Sequence, residues 1–197
     1  MNRLRLAILI SGRGSNMESL VQASQSPDYP AEPVLVLSNR PDAAGLETAR
    51  RFGINVAAVD HRRFGKDRES FERALDTALQ SAEIELIALA GFMRVLTPWF
   101  VEQWRDRLIN IHPSLLPKYP GLHTHARAIE AGDAEAGCSV HWVTEEVDAG
   151  AIIDQARVPI LDDDTPDALA ARVLKQEHAL YPVALAKACA IIRSAPA

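Results

Sequence analysis

The chain has 197 residues, of which 48% are hydrophobic and 24% charged, with a formal net charge of −5. That is enough chain for one domain to bury a core, and the proportions are those of ordinary globular proteins. The acidic balance argues against nucleic-acid binding, which needs a basic face, but leaves room for a small anion held at a local site.

Met1 to Arg5, followed by the apolar stretch to Ile10, has the outline of a secretion signal. Its apolar core is too short and Ser11-Gly12-Arg13 ends it, so a first strand over Leu4–Ile10 is expected instead. Residues 15 to about 25 read as a helix with Met17, Leu20 and Val21 on one face. A second strand follows at 34–37, then a helix at 43–52 closed by Gly53, a residue suited to a left-handed cap. A third strand is expected at 55–60. A longer helix at 68–82 carries Phe71, Leu75 and Leu79 at a spacing of four. The strongly apolar 84–90 is a fourth strand, a helix is expected at Pro98, and Leu108–His112 is a fifth strand.

Beyond His112 the pattern changes. A Pro/Gly/His-rich loop leads to a short helix at 125–131. Residues 139–144 and 151–160 read as two strands joined by the loop 145–150, an antiparallel addition to the sheet. Residues 166–193 form the last helix, with Pro182 as a candidate bend. Alternating strands and helices imply right-handed crossovers and a mostly parallel sheet covered on both faces. The expected fold is therefore single-domain α/β and Rossmann-like over residues 1–197, with an antiparallel C-terminal addition. No run reaches the ~20 apolar residues of a membrane helix. Cys138 and Cys189 form no Cys-x-x-Cys pair and fit a reducing cytoplasm.

The most informative stretch is Ile109-Asn110-Ile111-His112-Pro113. Residues two apart on a strand point the same way, so Asn110 and His112 should project together where the strand ends. Asn brings a neutral amide donor, and His brings a group that exchanges protons near neutrality. Together they could polarise a carbonyl and hold the charge of a tetrahedral intermediate. The loop Ser11-Gly12-Arg13-Gly14-Ser15-Asn16 lies between strand and helix, where backbone N–H groups suit a phosphate. It is neither a Walker loop nor a full dinucleotide fingerprint, and Ser15 with Glu18 has capping-box spacing, so a plain helix cap is the alternative. Asp148, in Glu145-Glu146-Val147-Asp148, is either part of a solvated acidic turn or a carboxylate that orients His112 and favours its protonated form. Gly91 to Leu96 could line a pocket for a flat ligand or be ordinary core. His123 and His125 lack metal-ligand spacing with any cysteine, so no metal is expected, and mid-strand His141 reads as a histidine that is either satisfied in the core or supports a site residue from behind.

These motifs, with Pro120 to His125, Gly137 to Asp148 and Gln176-Glu177-His178, resemble those of the glycinamide ribonucleotide formyltransferase family. The resemblance runs from about residue 4 to about 185, and the stretch from Asn110 to His125 is its most specific part. It implies transfer of a formyl group from 10-formyltetrahydrofolate to the amine of glycinamide ribonucleotide, without metal. Asn110, His112 and Asp148 match the catalytic residues; Gly14, Ser15, Asn16 and Glu177 match the substrate contacts. Arg68, Met93, Arg94, Val95, Leu96, Asn110, Thr144, Glu145, Glu146, Val147 and Asp148 match the folate site. The implied partners are small molecules only, with no nucleic acid and no membrane, for a cytoplasmic monomer or homodimer. The first half, to about residue 100, would hold the phosphate and the second the folate and the chemistry. Arg13, where many members carry Asn, and Leu174, where a polar or basic residue is common, depart from the pattern.

A formyl-folate hydrolase or a formyltransferase acting on methionyl-transfer-RNA would be expected to need a further domain, for which 197 residues leave no room. A phosphate-binding module without turnover would have no use for Asn110, His112 and Asp148 converging on one point.

Overall fold

The computed structural model describes residues 3–194; residues 1, 2 and 195–197, which include the start of the segment weighed as a secretion signal, lie outside it. Seven strands form one sheet: β1 (Leu4–Ile10), β2 (Ala31–Ser38), β3 (Asn55–Ala58), β4 (Leu86–Leu89), β5 (Leu108–His112), β6 (Glu135–Trp142) and β7 (Ile152–Pro159). Their order is β3-β2-β1-β4-β5-β6-β7. The first five pair in parallel, while β6 runs antiparallel to both β5 and β7. The helices are α1 (Ser15–Ser24), α2 (Ala44–Arg51), α3 (Arg68–Ser81), α4 (Pro98–Gln103), α5 (Thr124–Glu130) and α6 (Pro166–Ser194).

β1 shows why its sequence is apolar without alternation. Leu6, Ile8 and Ile10 pack with α1, α2, α5 and α6, whereas Ala7 and Leu9 pack with α3 and α4 on the other face. A central parallel strand covered on both sides has no polar side to show. The helical stripe Phe71, Leu75 and Leu79 is buried against that second face. None of the helices among the described residues is long and apolar enough to cross a membrane.

The element boundaries differ from expectation where tertiary contacts override local pattern. β2 begins three residues early, at Ala31, because Leu4 to Leu6 pair with it, and the register shifts opposite Pro33. β3 stops at Ala58 and β4 spans only Leu86–Leu89. α5 starts one residue early, at Thr124. β6 begins at Glu135, four residues before the expected start. Its first half is weak strand sequence, Glu-Ala-Gly, and Gly137 explains why: a Cβ there would lie 2.0 Å from the Ala156 carbonyl oxygen of β7. α6 continues through Pro182 to Ser194.

Candidate active site

β1 leads on to β2 on one side of the sheet, and β4 leads on to β5 on the other. The boundary between β1 and β4 is therefore the point where strand order reverses, and α/β sheets bind ligands beyond the carboxyl ends of their strands there. The loops leaving the two strands are tied together, with the Ser11 N–H donating to Gly91 O at 3.1 Å and the Met93 N–H to Ser11 Oγ at 2.8 Å. Beyond them lies an open cleft of about 630 Å³.

β5 delivers Asn110 and His112 to this cleft on the same side, as their spacing predicts. His112 is buried, and both ring nitrogens face acceptors: Nε2 lies 2.9 Å from Tyr119 O and Nδ1 lies 3.3 Å from Asp148 Oδ2. A ring protonated on both nitrogens satisfies both. The Nδ1 contact is long for a hydrogen bond, so its proton is loosely engaged. Asp148 reaches this position from the β6–β7 loop with φ 55°, a left-handed conformation that Asp and Asn adopt more readily than most residues. Its Oδ2 accepts from the Gly121 N–H at 2.8 Å. Burial pulls the Asp148 carboxyl up; the His141 ring, the Gly121 N–H and the neighbouring His112 outweigh it and hold the group below the ordinary carboxylate range.

His141, expected either in the core or in support of a site residue, takes the second role and is a fourth member of this cluster. It sits directly across from Asn110 in the β5–β6 pairing. Its Nδ1 lies 2.8 Å from Trp142 O, and its Nε2 lies 3.3 Å from Asn110 Nδ2 and 3.5 Å from Asp148 Oδ1. Nε2 thus stands between the Asn110 amide and the Asp148 carboxylate and joins the two. Sequence periodicity offers no signal for this, because the partner depends on strand register.

The glycine loop closes the other end of the cleft. Gly14, not Ser15, is the N-cap of α1; it has φ 76°, and no side chain caps the helix. The expected Ser15 cap is thus not made, because the turn needs a left-handed residue and Ser15 is already helical. α2 braces the loop from behind, its Gly45 N–H donating to Gly12 O at 3.0 Å. A Cβ on Gly45 would come within 2.9 Å of Arg13 O. The first N–H groups of α1 have no partner within the helix, the arrangement that suits an anion. Asn16 Nδ2 donates to Glu177 Oε2 at 2.6 Å, while the buried Asn16 Oδ1 has no hydrogen-bond partner. Burial pushes the Glu177 carboxyl up, against the pull of that Asn16 bond. The Glu177–Asn16 pair therefore offers a ligand a buried acceptor.

Between these ends, Met93, Arg94, Val95, Leu96, Thr144, Glu145 and Val147 line the cleft. Met93, Val95, Val147 and Leu122 are exposed apolar side chains concentrated here, as an apolar ligand face requires. Gly14 and Ser15 lie in an adjoining recess of about 540 Å³, which shares Asn16 and Arg94 with the main cleft. Arg68 and Glu146 do not line either space. The Arg68 guanidinium instead donates to Val95 O at 2.5 Å, holding the 93–96 segment from behind, and Glu146 O accepts from Thr144 Oγ1. No group of His, Cys, Asp and Glu suited to a metal is found among the described residues.

A family model described as formyl transferase matches residues 4–185. The phosphoribosylglycinamide formyltransferase of Escherichia coli (strain K12) is 46% identical over 182 residues, covering 92% of this chain and 85% of that protein. The trifunctional purine biosynthetic protein adenosine-3 of Drosophila melanogaster is 52% identical over 186 residues, covering 93% of this chain. The chain spans only 14% of that much longer relative. Among solved structures, phosphoribosylglycinamide formyltransferase from Brucella melitensis superposes with a TM-score of 0.91 at 50% identity, covering 96% of this chain and 97% of the other.

Proposed function

We infer the reaction from one premise: the chain belongs to the formyl transferase family. It is a phosphoribosylglycinamide formyltransferase, moving the formyl group of 10-formyltetrahydrofolate to the amine of glycinamide ribonucleotide. The observation that carries this reading is the convergence of Asn110, His112 and Asp148 on one cleft, with an apolar strip on one side and a helix N-terminus on the other.

The flat folate ring takes the strip formed by Met93 to Leu96 and by Thr144 to Asp148, with Arg68 fixing the strip through Val95 O. The ribonucleotide phosphate takes the N–H groups at Gly14, Ser15 and Asn16, and Glu177 receives a donor of the same substrate. The substrate amine attacks the formyl carbon, forming a new C–N bond and a tetrahedral oxyanion. The free N–H of Asn110 and the Nδ1–H of His112 stabilise that oxygen. Asp148 faces the His112 ring and orients it, and His141 joins the Asn110 amide to the same carboxylate. The amine loses a proton, the folate nitrogen gains one, and the bond from that nitrogen to the formyl carbon breaks. Holding both substrates end to end in one cleft removes the cost of a bimolecular encounter.

All of these residues come from one chain, so a monomer or a homodimer serves equally. We read residues 1–197 as one domain whose first half, to about 100, carries the phosphate loop. The reading needs small-molecule partners only, no metal, and a cytoplasmic setting. It is tested by following tetrahydrofolate release with and without glycinamide ribonucleotide. Release that depends on the ribonucleotide is expected. Equal release in its absence would mean hydrolysis, and none in either case would mean a binding module.

A further inference from the structure

The recess beside the glycine loop is lined by Arg13, Arg40, Arg94 and His61, and by no Asp or Glu. In a chain of net charge −5 that is a local reversal of sign. Its cations are in different circumstances. Arg40 is already engaged by Asp42 at 2.9 Å, and Arg94 stacks over the Phe71 ring, 5.8 Å from its centroid. Arg13 is exposed and enters no ion pair or hydrogen bond among the described residues.

His61 is fixed rather than loose. Its Nδ1 lies 2.9 Å from Asn39 O and 3.2 Å from Asn39 Nδ2, and its ring meets Phe71 edge-on. Asn39 is itself buried, and its Oδ1 accepts from the Ser11 hydroxyl at 2.6 Å. The imidazole is thus built onto the same scaffold that sets the glycine loop, its Nδ1 facing the Asn39 backbone and its ring lining the recess.

We infer that Arg13 and His61 form a second wall of the phosphate site, facing the Gly14–Asn16 N–H groups and making the enzyme selective for a phosphorylated acceptor. The inference rests on the proposed reading of the substrate. Backbone N–H groups bind an anion through dipoles; a guanidinium adds full charge and a planar pair of donors matched to phosphate oxygens. Such groups act on substrate capture and leave the formyl transfer step, on the far side of Asn16, alone.

The test measures kcat and KM for Arg13→Gln, His61→Gln and the double variant. Arg157→Gln, on the opposite edge strand, controls for general loss of charge. Each substrate is varied in turn. Charged hydrogen bonds of this kind are worth roughly tenfold or more, less where exposed. The KM for glycinamide ribonucleotide should therefore rise about three- to tenfold in each single variant and further in the double. The kcat and the folate KM should stay within about twofold, and Arg157→Gln should match wild type. With the unphosphorylated ribonucleoside as acceptor, wild type and all three variants should perform alike. Wild-type turnover combined with unchanged ribonucleotide KM in the double variant would overturn the second wall alone. Wild-type protein that does not use the ribonucleotide would overturn the substrate reading first. Equal loss with the phosphorylated and unphosphorylated acceptors would assign the two residues to loop structure instead.

Discussion

Asp148→Asn isolates charge from shape at the centre of the site. Asn tolerates the left-handed φ of 55° nearly as well as Asp, so the backbone need not move, which an alanine would not guarantee. The Asn carbonyl can still accept from the Gly121 N–H, now at 2.8 Å from Oδ2. What disappears is the negative charge 3.3 Å from His112 Nδ1. A hydrogen bond to a charged group contributes about 1.5–3 kcal/mol. If that support is felt mainly in the transition state, turnover falls about ten- to hundredfold. The assay is tetrahydrofolate release across pH 5.5–9. The fall in kcat should persist across this range, while the folate KM changes little, because the lost charge faces the His112 ring. Stability gives a second readout. The wild-type carboxyl is held below its unfolded range, so its ionised form stabilises the fold at neutral pH, and this contribution is lost as pH falls through the folded value. The stability gap between wild type and Asn should therefore narrow on acidification. Near-normal turnover across the range would reduce Asp148 to a turn residue.

Three further outcomes are expected. Gly14→Ala introduces a Cβ at φ 76°, 3.0 Å from Met17 Cε; the strain of about 1–2 kcal/mol should lower Tm by about 2–8 °C and raise the ribonucleotide KM, whereas a normal KM would move the phosphate elsewhere. Valine there would add further bulk against Met17 and Gly45, so alanine is the cleaner probe. Glu177 is held above its unfolded range, so its stabilising protonated form is lost as pH rises through the folded value; Glu177→Gln should gain Tm relative to wild type between pH 4 and 7, and a pH-independent difference would contradict the burial argument. EDTA should leave activity unchanged, and loss restored by a divalent metal would overturn the metal-free chemistry.

The central pair was readable in the sequence because its geometry is local. Asn110 and His112 lie two apart at the end of an apolar run, and strand periodicity alone puts them side by side. The parallel core was readable for the same reason, through runs such as Leu4–Ile10 and the Phe71, Leu75, Leu79 stripe. What escaped depends on contacts between distant segments. His141 matters because β6 pairs antiparallel in a register that sets it against Asn110. The early start of β6 depends on Gly137 admitting the β7 backbone. The Ser15 cap gave way to Gly14 because the loop must turn through positive φ before the helix begins. Arg68 holds Val95 O, a placement that no spacing encodes.

The most direct test of the account follows the formyl carbon itself. Isotopically labelled 10-formyltetrahydrofolate is mixed with glycinamide ribonucleotide and either wild-type protein or His112→Ala. Wild type should move the label to the ribonucleotide, one equivalent per tetrahydrofolate released. His112→Ala should remain folded by thermal melting and lose about a hundred- to ten-thousand-fold in rate. Label appearing as free formate, or a folded His112→Ala variant retaining more than about a third of wild-type turnover, would contradict formyl transfer at this site.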